Sequence, residues 1–500
     1  MKARESIFAV LANGGTVPLM NIPVLDTAGF RSAILSAVAG GMRVSALFGA
    51  ATGRAGEIEL HAILADDAGN RLLAARTPVS GGRFPSLTPD CPQVHLFERE
   101  IAEDFGIAFE GHPWMKRVRF CGSRGEEILP GSGEFFQVSG AQVHEVAVGP
   151  VHAGIIEPGH FRFQCQGERV LNLEIALGYQ HRGIEASMEG GPSPRSLHYM
   201  ETAAGDTTIG HSLTYCQILE SLSGRQPPAR AQVLRGIALE LERLANHTGD
   251  LGALSGDVGY LPTASFCGRI RGDFLNLTAL LCGSRFGRGF VRPGGTGFDL
   301  DPAEIQTLIE RIELLKTEAA TAINLLWENQ SVMSRFEETG VLSRETAADF
   351  GIVGPAARAS GLRRDVRCNQ PSGSYRFSQM PLAAAEAGDV FARAYVRWME
   401  IRHSADFIIE QAGSLPGGTV RLPPGRLAPD SLSVALNEGW RGEICHAAIT
   451  GAEGNFILYK IVDPSFHNWI AVSRVMHDGD ISDFPLCNKS FNLSYCGHDL

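Results

Sequence analysis

The chain has 500 residues, too many for one ordinary hydrophobic core, so at least two domains are expected. Apolar residues make up 44% and charged residues 20%, which supports sizeable cores and excludes a mainly disordered chain. With 44 Lys+Arg against 55 Asp+Glu the formal net charge is −11, a poor match for nucleic acid, whose affinity comes from neutralising phosphates.

Residues 1 to about 121 read as a small α+β unit. Strand-like runs at Arg43–Ala50, Ile58–Asp66 and Arg71–Val79 are separated by Gly- and Asp-containing turns. Next, Phe97, Ile101 and Phe105 recur at i, i+4, i+8 and mark one helical face. Residues 122–148, rich in Gly, Ser and Glu, suit a linker. From 149 to 500 the texture turns mainly helical. Residues 230–250 carry Val233, Ile237, Leu241 and Leu244 on one stripe. Asp301-Pro302 with Glu304 is a capping box with proline at the first helical position, ahead of the stripe Ile305, Leu308, Ile312 and Leu315. The span Val390–Ile409 repeats the pattern with Phe391, Ala394, Trp398 and Ala405. Helices of this length pack as a bundle with sites built from inward-facing side chains. The expected fold class is therefore α+β: a small N-terminal α+β domain, then a large mainly helical domain with a central bundle.

No stretch reaches the roughly 20 uncharged apolar residues of a membrane span, so bilayer contact is expected through partner subunits. The opening apolar run is too short for a secretory leader. The ten cysteines are scattered and no two form CxxC, as expected of reduced thiols in the cytosol.

The segments GPVHAGIIEPGHFRFQCQGERV (149–170) and LGYQHRGIE (177–185) resemble the opening of the large subunit of membrane-bound [NiFe] hydrogenases of the formate hydrogenlyase type. They are equally similar to the homologous quinone-site (49-kDa-type) subunit of respiratory complex I. The resemblance continues in order through LRGIALELERLANHTGDLG, RFGRGFVRPGG, SGLRRDVRCNQP, NEGWRGE and DPSFHNW, and so spans 149–500. The segment LFEREIAEDFGIAFEGHPWMKRVRF resembles the 30-kDa-type accessory subunit of complex I, which is fused ahead of the large subunit in formate hydrogenlyase.

In the hydrogenases this resemblance implies four thiolates around nickel and iron, soft ligands suited to those metals. The matching positions here hold Ala204, Thr207, Ser494 and Gly497. Cys216 and Cys496 lie nearby but out of register. The chain ends where mature subunits of that family end, so no removable extension is expected. The resemblance to complex I also has gaps: its quinone-binding tyrosine falls at Gly205 and its loop histidine at Pro158. A nickel–iron centre is not expected, and quinone remains a candidate ligand.

By the same resemblance, Glu157 falls at a proton-relay position, with a pKa raised if it lies in an apolar cleft; otherwise it caps a loop. His152 and His160 are relay partners or structural groups. His181 and Arg182 would lie near an iron–sulfur cluster in a neighbouring subunit, or be structural. Asp206 and His211 flank the altered ligand loop, where a polar pocket is expected. Asp365 and Arg367 either line that pocket as an ion pair or form a helix-end salt bridge. Arg441 matches the arginine above the metal in hydrogenases. The glycines of RPGGTG (292–297) lack GxGxxG context and read as a turn, so no NAD site is expected.

The resemblance implies a peripheral-arm subunit of a complex I-like or energy-converting-hydrogenase-related oxidoreductase complex, on the inner face of the cell membrane. Such a complex couples NADH- or formate-to-quinone electron transfer to proton or ion translocation. The implied partners are a small subunit of the complex I 20-kDa type, bearing a [4Fe-4S] cluster, and antiporter-like membrane subunits. Two alternatives stay open: a working formate hydrogenlyase-type large subunit, and a non-catalytic scaffold of such a complex.

Overall fold

The computed structural model describes residues 7–52, 56–120, 130, 133–153 and 156–500. In chain order the N-terminal part comprises β1 (Ala9–Leu11), β2 (Gly15–Pro18), α1 (Thr27–Ala39), β3 (Arg43–Ala51), β4 (Ile58–Asp66), β5 (Arg71–Val79) and α2 (His95–Phe105). The three long apolar runs became antiparallel neighbours in a sheet ordered β1-β5-β4-β3. Asp26 caps α1 by accepting from the Gly29 N–H, and α1 buries Phe30, Ile34 and Ala37. Removing a side chain such as Phe30 or Ile34 from water contributes roughly 1.5–3 kcal/mol.

The remainder comprises β6 (Val143–Val148), β7 (His160–Gln166), β8 (Arg169–Ala176), α3 (Thr208–Leu222), α4 (Ala229–Asp257), α5 (Leu261–Cys282), α6 (Pro302–Trp327), α7 (Val390–Gly413), β9 (Ser431–Gly439), β10 (Gly442–Thr450), β11 (Phe456–Val462) and α8 (Pro464–Met476), with short helices between them. α4 packs against α5 and α7, and α6 packs against α5 and α7, giving the expected bundle. The Asp301–Glu304 capping box forms as the sequence predicts. On α4, Leu234, Ile237, Leu241 and Leu244 are fully buried, but so are Glu240, Arg243 and His247.

Two features differ from the sequence reading. Residues 143–148, expected as the end of the linker, form β6 and pair with β7, where Val146 and Val148 alternate with the exposed Ala147 at the strand period. Residues 121–129 and 131–132 of that linker lie outside the described residues. Second, β2 leaves the N-terminal part and pairs antiparallel with β9, Pro18 opposite Ser431 and Gly15 opposite Val434. The resulting sheet β11-β10-β9-β2 shares one apolar core with the N-terminal sheet, with Leu432, Val434 and Val462 in the same cluster as Phe48 and Leu64. The RPGGTG segment is a turn between the short pairs Val291–Arg292 and Gly295–Thr296. Gly294 there has φ +81°, and a Cβ on it would fall 1.8 Å from the Leu422 carbonyl oxygen.

Candidate functional site

Four segments converge at one end of α3: the loop before it, the β9–β10 turn, the start of α8 and the C-terminal residues 492–500. The β9–β10 turn projects Arg441, whose Nη1 and Nη2 donate to the two carboxylate oxygens of Asp206 at 2.5 and 2.8 Å. This bidentate pairing is the strong form of an ion pair. Arg441 Nε donates to the Asn492 carbonyl at 2.5 Å, and its guanidinium lies 3.9 Å from the Trp440 ring centroid. Trp440 Nε1 and Asn246 Nδ2 both donate to the Asp206 carbonyl. The Asp206 side chain remains 38% exposed, so the clamp has one open side.

Behind it, Thr207 stands at the N-cap of α3 but caps no N–H with its side chain. That office falls to Glu242 on α4, which accepts from the Ile209 and Gly210 N–H groups at 2.7 and 3.2 Å. Burial pushes its carboxyl up to about 8 against the pull of those two donors.

One turn into α3, His211 starts a fully buried chain. His211 Nε2 meets Asp463 Oδ2 at 3.0 Å, His211 Nδ1 meets His446 Nε2 at 3.1 Å, and His446 Nδ1 meets Tyr459 OH at 2.9 Å. The network sets the tautomers. With one proton per imidazole, Tyr459 donates to His446, His446 to His211, and His211 to Asp463. Adding one proton reverses the donors between the imidazoles and at Tyr459 and breaks no bond in the chain. Burial holds His446 well below the usual histidine range. Burial alone would raise Asp463, but the hydrogen bond from His211 and the charge of Arg441 outweigh it, so its pKa lies below 3.8.

The four ligand positions implied by resemblance do not fit a nickel–iron centre. Ala204 is buried and has no donor atom. Thr207 Oγ1 lies within hydrogen-bond reach of Asp206 and Arg441. Ser494 Oγ accepts from the Gly497 N–H at 2.9 Å as the cap of the last helical turn. A Cβ on Gly497 would meet the Asp463 carboxylate. Hydroxyls and a hard carboxylate are poor substitutes for soft thiolates. Cys496 is close, but burial and then Glu157 push its thiol up to about 11, leaving it protonated near neutral pH.

The remaining candidates divide. Glu157 is half-buried and accepts from the Tyr495 N–H at 3.2 Å, at the edge of the C-terminal segment. His152 and His160 bind the Gly159 and Gly149 carbonyls, holding residues 149–152 against 159–160. His181 Nδ1 lies 2.9 Å from the Asp499 carbonyl. Arg182, exposed, donates to the carbonyls of Thr202, Ala203 and Cys496, tying two of the four segments together. Asp365 and Arg367 do pair, at 2.7 Å, but outside the site: their other partners are Arg358, Glu240 and Glu400. Asp365 also caps the short helix Val366–Asn369, so the helix-end reading describes them and the pocket-lining reading does not. The pocket bordering Asp206 is instead lined by Glu242, Asn246, Arg285 and Phe286. The residue reading missed Asp463, His446, Tyr459 and Glu242. Only Asp463 carried a local signal, an Asp-Pro pair at a helix start.

Residues 31–121 match the family described as respiratory-chain NADH dehydrogenase, 30 Kd subunit, and residues 257–433 match the 49 Kd subunit family. The carbon monoxide-induced hydrogenase of Rhodospirillum rubrum is 31% identical over 350 residues, 70% of this chain and 97% of that one. Formate hydrogenlyase subunit 5 of Escherichia coli is 27% identical over 432 residues, 82% of this chain and 76% of that one. Among solved structures, a chain of the membrane-bound sulfane sulfur reductase, an archaeal respiratory membrane complex, shares the fold. Its TM-score is 0.68 at 22% identity, over 72% of this chain and 99% of that one. The protein is thus a large subunit of the hydrogenase and complex I class. It belongs to the family that joins the large subunits of membrane-bound hydrogenases to the 49 kDa subunit of respiratory NADH dehydrogenase, with a 30 kDa-type module fused ahead.

Proposed function

We propose that the chain is a peripheral-arm subunit of a membrane-bound oxidoreductase complex of the complex I-like, energy-converting kind, and holds no nickel–iron centre of its own. The observation that carries this reading is the altered site within a retained fold. Four thiolate positions hold Ala204, Thr207, Ser494 and Gly497, while the Arg441–Asp206 clamp and its supports remain. What the site can do is hold and pass protons along Asp463, His211, His446 and Tyr459, and present the open face of Asp206. Electrons would arrive on a [4Fe-4S] cluster in a small subunit of the 20-kDa type, seated against the edge that carries His181 and Arg182. Quinone is the acceptor this reading favours, with antiporter-like subunits moving the ion. Among the described residues no helix is long and apolar enough to cross a membrane, which suits attachment through those subunits. In this reading the N-terminal module ends at about residue 121, and the shared core and the β2–β9 pairing fasten the two parts.

Elemental analysis and quinone-dependent turnover of the purified complex test the reading. Less than stoichiometric nickel, no hydrogen turnover and quinone-dependent electron transfer are expected. One nickel per chain surviving chelation, or hydrogen evolution, would overturn it in favour of a working hydrogenase. Assembly without any electron transfer would leave a scaffold.

A further inference from the structure

Between α4 and α7 lies a second polar centre that the site above does not use. Glu240 and Arg243 come from α4, Glu400 from α7, Glu438 from β9, and Arg358, Asp365 and Arg367 from the segment before α7. Each is at most 4% exposed. Among the described residues their charges do not balance: the carboxyls Glu240, Asp365, Glu400 and Glu438 form ion pairs with three guanidiniums, Arg243, Arg358 and Arg367. The neighbouring pairs are neutral in themselves: Arg397–Asp250, at 2.8 Å, and Arg43–Glu443, whose carboxyl belongs to the residue opposite Glu438 across β9 and β10. An uncompensated charge in so dry a place is costly enough that a proton is taken up instead.

Hydrogen bonding says where that proton sits. His247 is the obvious base, but its Nε2–H already donates to Glu400 at 2.7 Å, and its buried Nδ1 has no partner among the described residues. Burial holds His247 down to about 4, so it takes no second proton near neutral pH. His403 is only half-buried and lies at the rim, and Tyr375 donates its own proton to Glu240. Among the carboxyls, Glu240 receives Arg243, Arg367, Tyr375 and Ser404. Glu400 receives Arg358, Arg367, Arg243 and His247. Asp365 receives the Arg367 N–H, Nε and Nη2. Glu438 receives two donors, Arg358 Nη1 at 2.7 Å and the Val366 N–H at 3.1 Å.

We propose that this cluster is a one-proton store and that the exchangeable proton resides on the Glu438 carboxyl. Burial, with the Asp365 charge beside it, pushes Glu438 up to about 7 despite Arg358, while Glu240, Asp365 and Glu400 are held below the usual carboxylate range. The store is mechanically joined to the clamp. Arg243 donates from Nη2 to the Glu438 carbonyl and from Nη1 to the Gly439 carbonyl, and the next two residues are Trp440 and Arg441. Ionising Glu438 redistributes Arg358 and Arg243 and so acts on the turn that aims Arg441 at Asp206.

The test compares Glu438→Gln with Glu400→Gln in the full-length chain. A carboxyl whose folded pKa is raised from 4.5 to about 7 contributes stability that is complete below 4.5 and lost as the pH rises through 7. Gln mimics the protonated acid, so Glu438→Gln should match wild type near pH 5 and exceed it near pH 9 by about one to two orders of magnitude in the folding equilibrium constant. Glu400→Gln should be destabilised across the same pH range, because it strips an ionised partner from three arginines. Infrared difference spectra should show a protonated-carboxyl stretch that disappears from wild type as the pH rises through neutrality and is missing in Glu438→Gln. A Glu438→Gln chain that fails to fold, or loses as much stability as Glu400→Gln, would overturn the proposal. So would the absence of that band from wild type below neutrality.

Discussion

The Asp463 carboxylate stands where a side chain on residue 497 would have to go: a Cβ built on Gly497 falls 2.7 Å from its Cγ and 2.9 Å from each oxygen. The position that carries a thiolate in the resembling hydrogenases is thus open only to glycine here, because Asp463 has been drawn in as the cap of α8 and the partner of His211.

Gly497→Cys should therefore destabilise the chain rather than rebuild a ligand. The carboxylate must move and give up its bonds to His211 and to the Ser465 N–H. Overpacking of this kind costs about 1–3 kcal/mol. Urea unfolding checks it; an unchanged midpoint would mean that Asp463 swings aside freely.

Asp463 also sets an acid limit. Its folded pKa lies below the unfolded 3.8, so its contribution is present above that value and lost as the pH falls through the folded one. Asp463→Asn keeps a good helix cap and removes the charge. Acid titration followed by circular dichroism should show the variant less stable near neutral pH, the gap closing as the pH drops below about 3.8. A gap constant at all pH would show that only the hydrogen bonds matter.

At the clamp, Arg441→Met removes the bidentate partner of Asp206, and Glu157→Gln removes a half-buried carboxyl beside the C-terminal segment. If the site handles protons or an anionic reduced ligand, both should cut turnover of the assembled complex by at least tenfold, a barrier change of about 1.4 kcal/mol. Assembly, followed by co-purification, should persist. Turnover within about twofold of wild type in both variants would favour the scaffold.

Arg182 is a strut between two segments, and its planar fork matters. Arg182→Lys cannot serve the three carbonyls of Thr202, Ala203 and Cys496 at once. Hydrogen exchange should quicken in residues 202–207 and 494–499 in both Arg182→Lys and Arg182→Met. Full protection in the lysine variant would show that a single point charge suffices.

Local chemistry was legible without the fold. The strands at Arg43–Ala51, Ile58–Asp66 and Arg71–Val79 and the helix opened by Asp301-Pro302 depend on period and capping, which backbone sterics impose over a few residues. The motifs that place 149–500 in its family, and the four substituted ligand positions, are likewise properties of the chain read in order. Tertiary structure decided what those positions became. Asp206 meets Arg441 across 235 residues, and Gly15 finds Val434 across most of the chain, pairings for which no local sterics speak. Asp365 and Arg367 looked like walls of the site, yet folding placed them among Glu240, Glu400 and Arg358. A charge's worth is set by what else shares its dry surroundings, and only packing gathers four carboxyls around three guanidiniums and leaves one proton for Glu438.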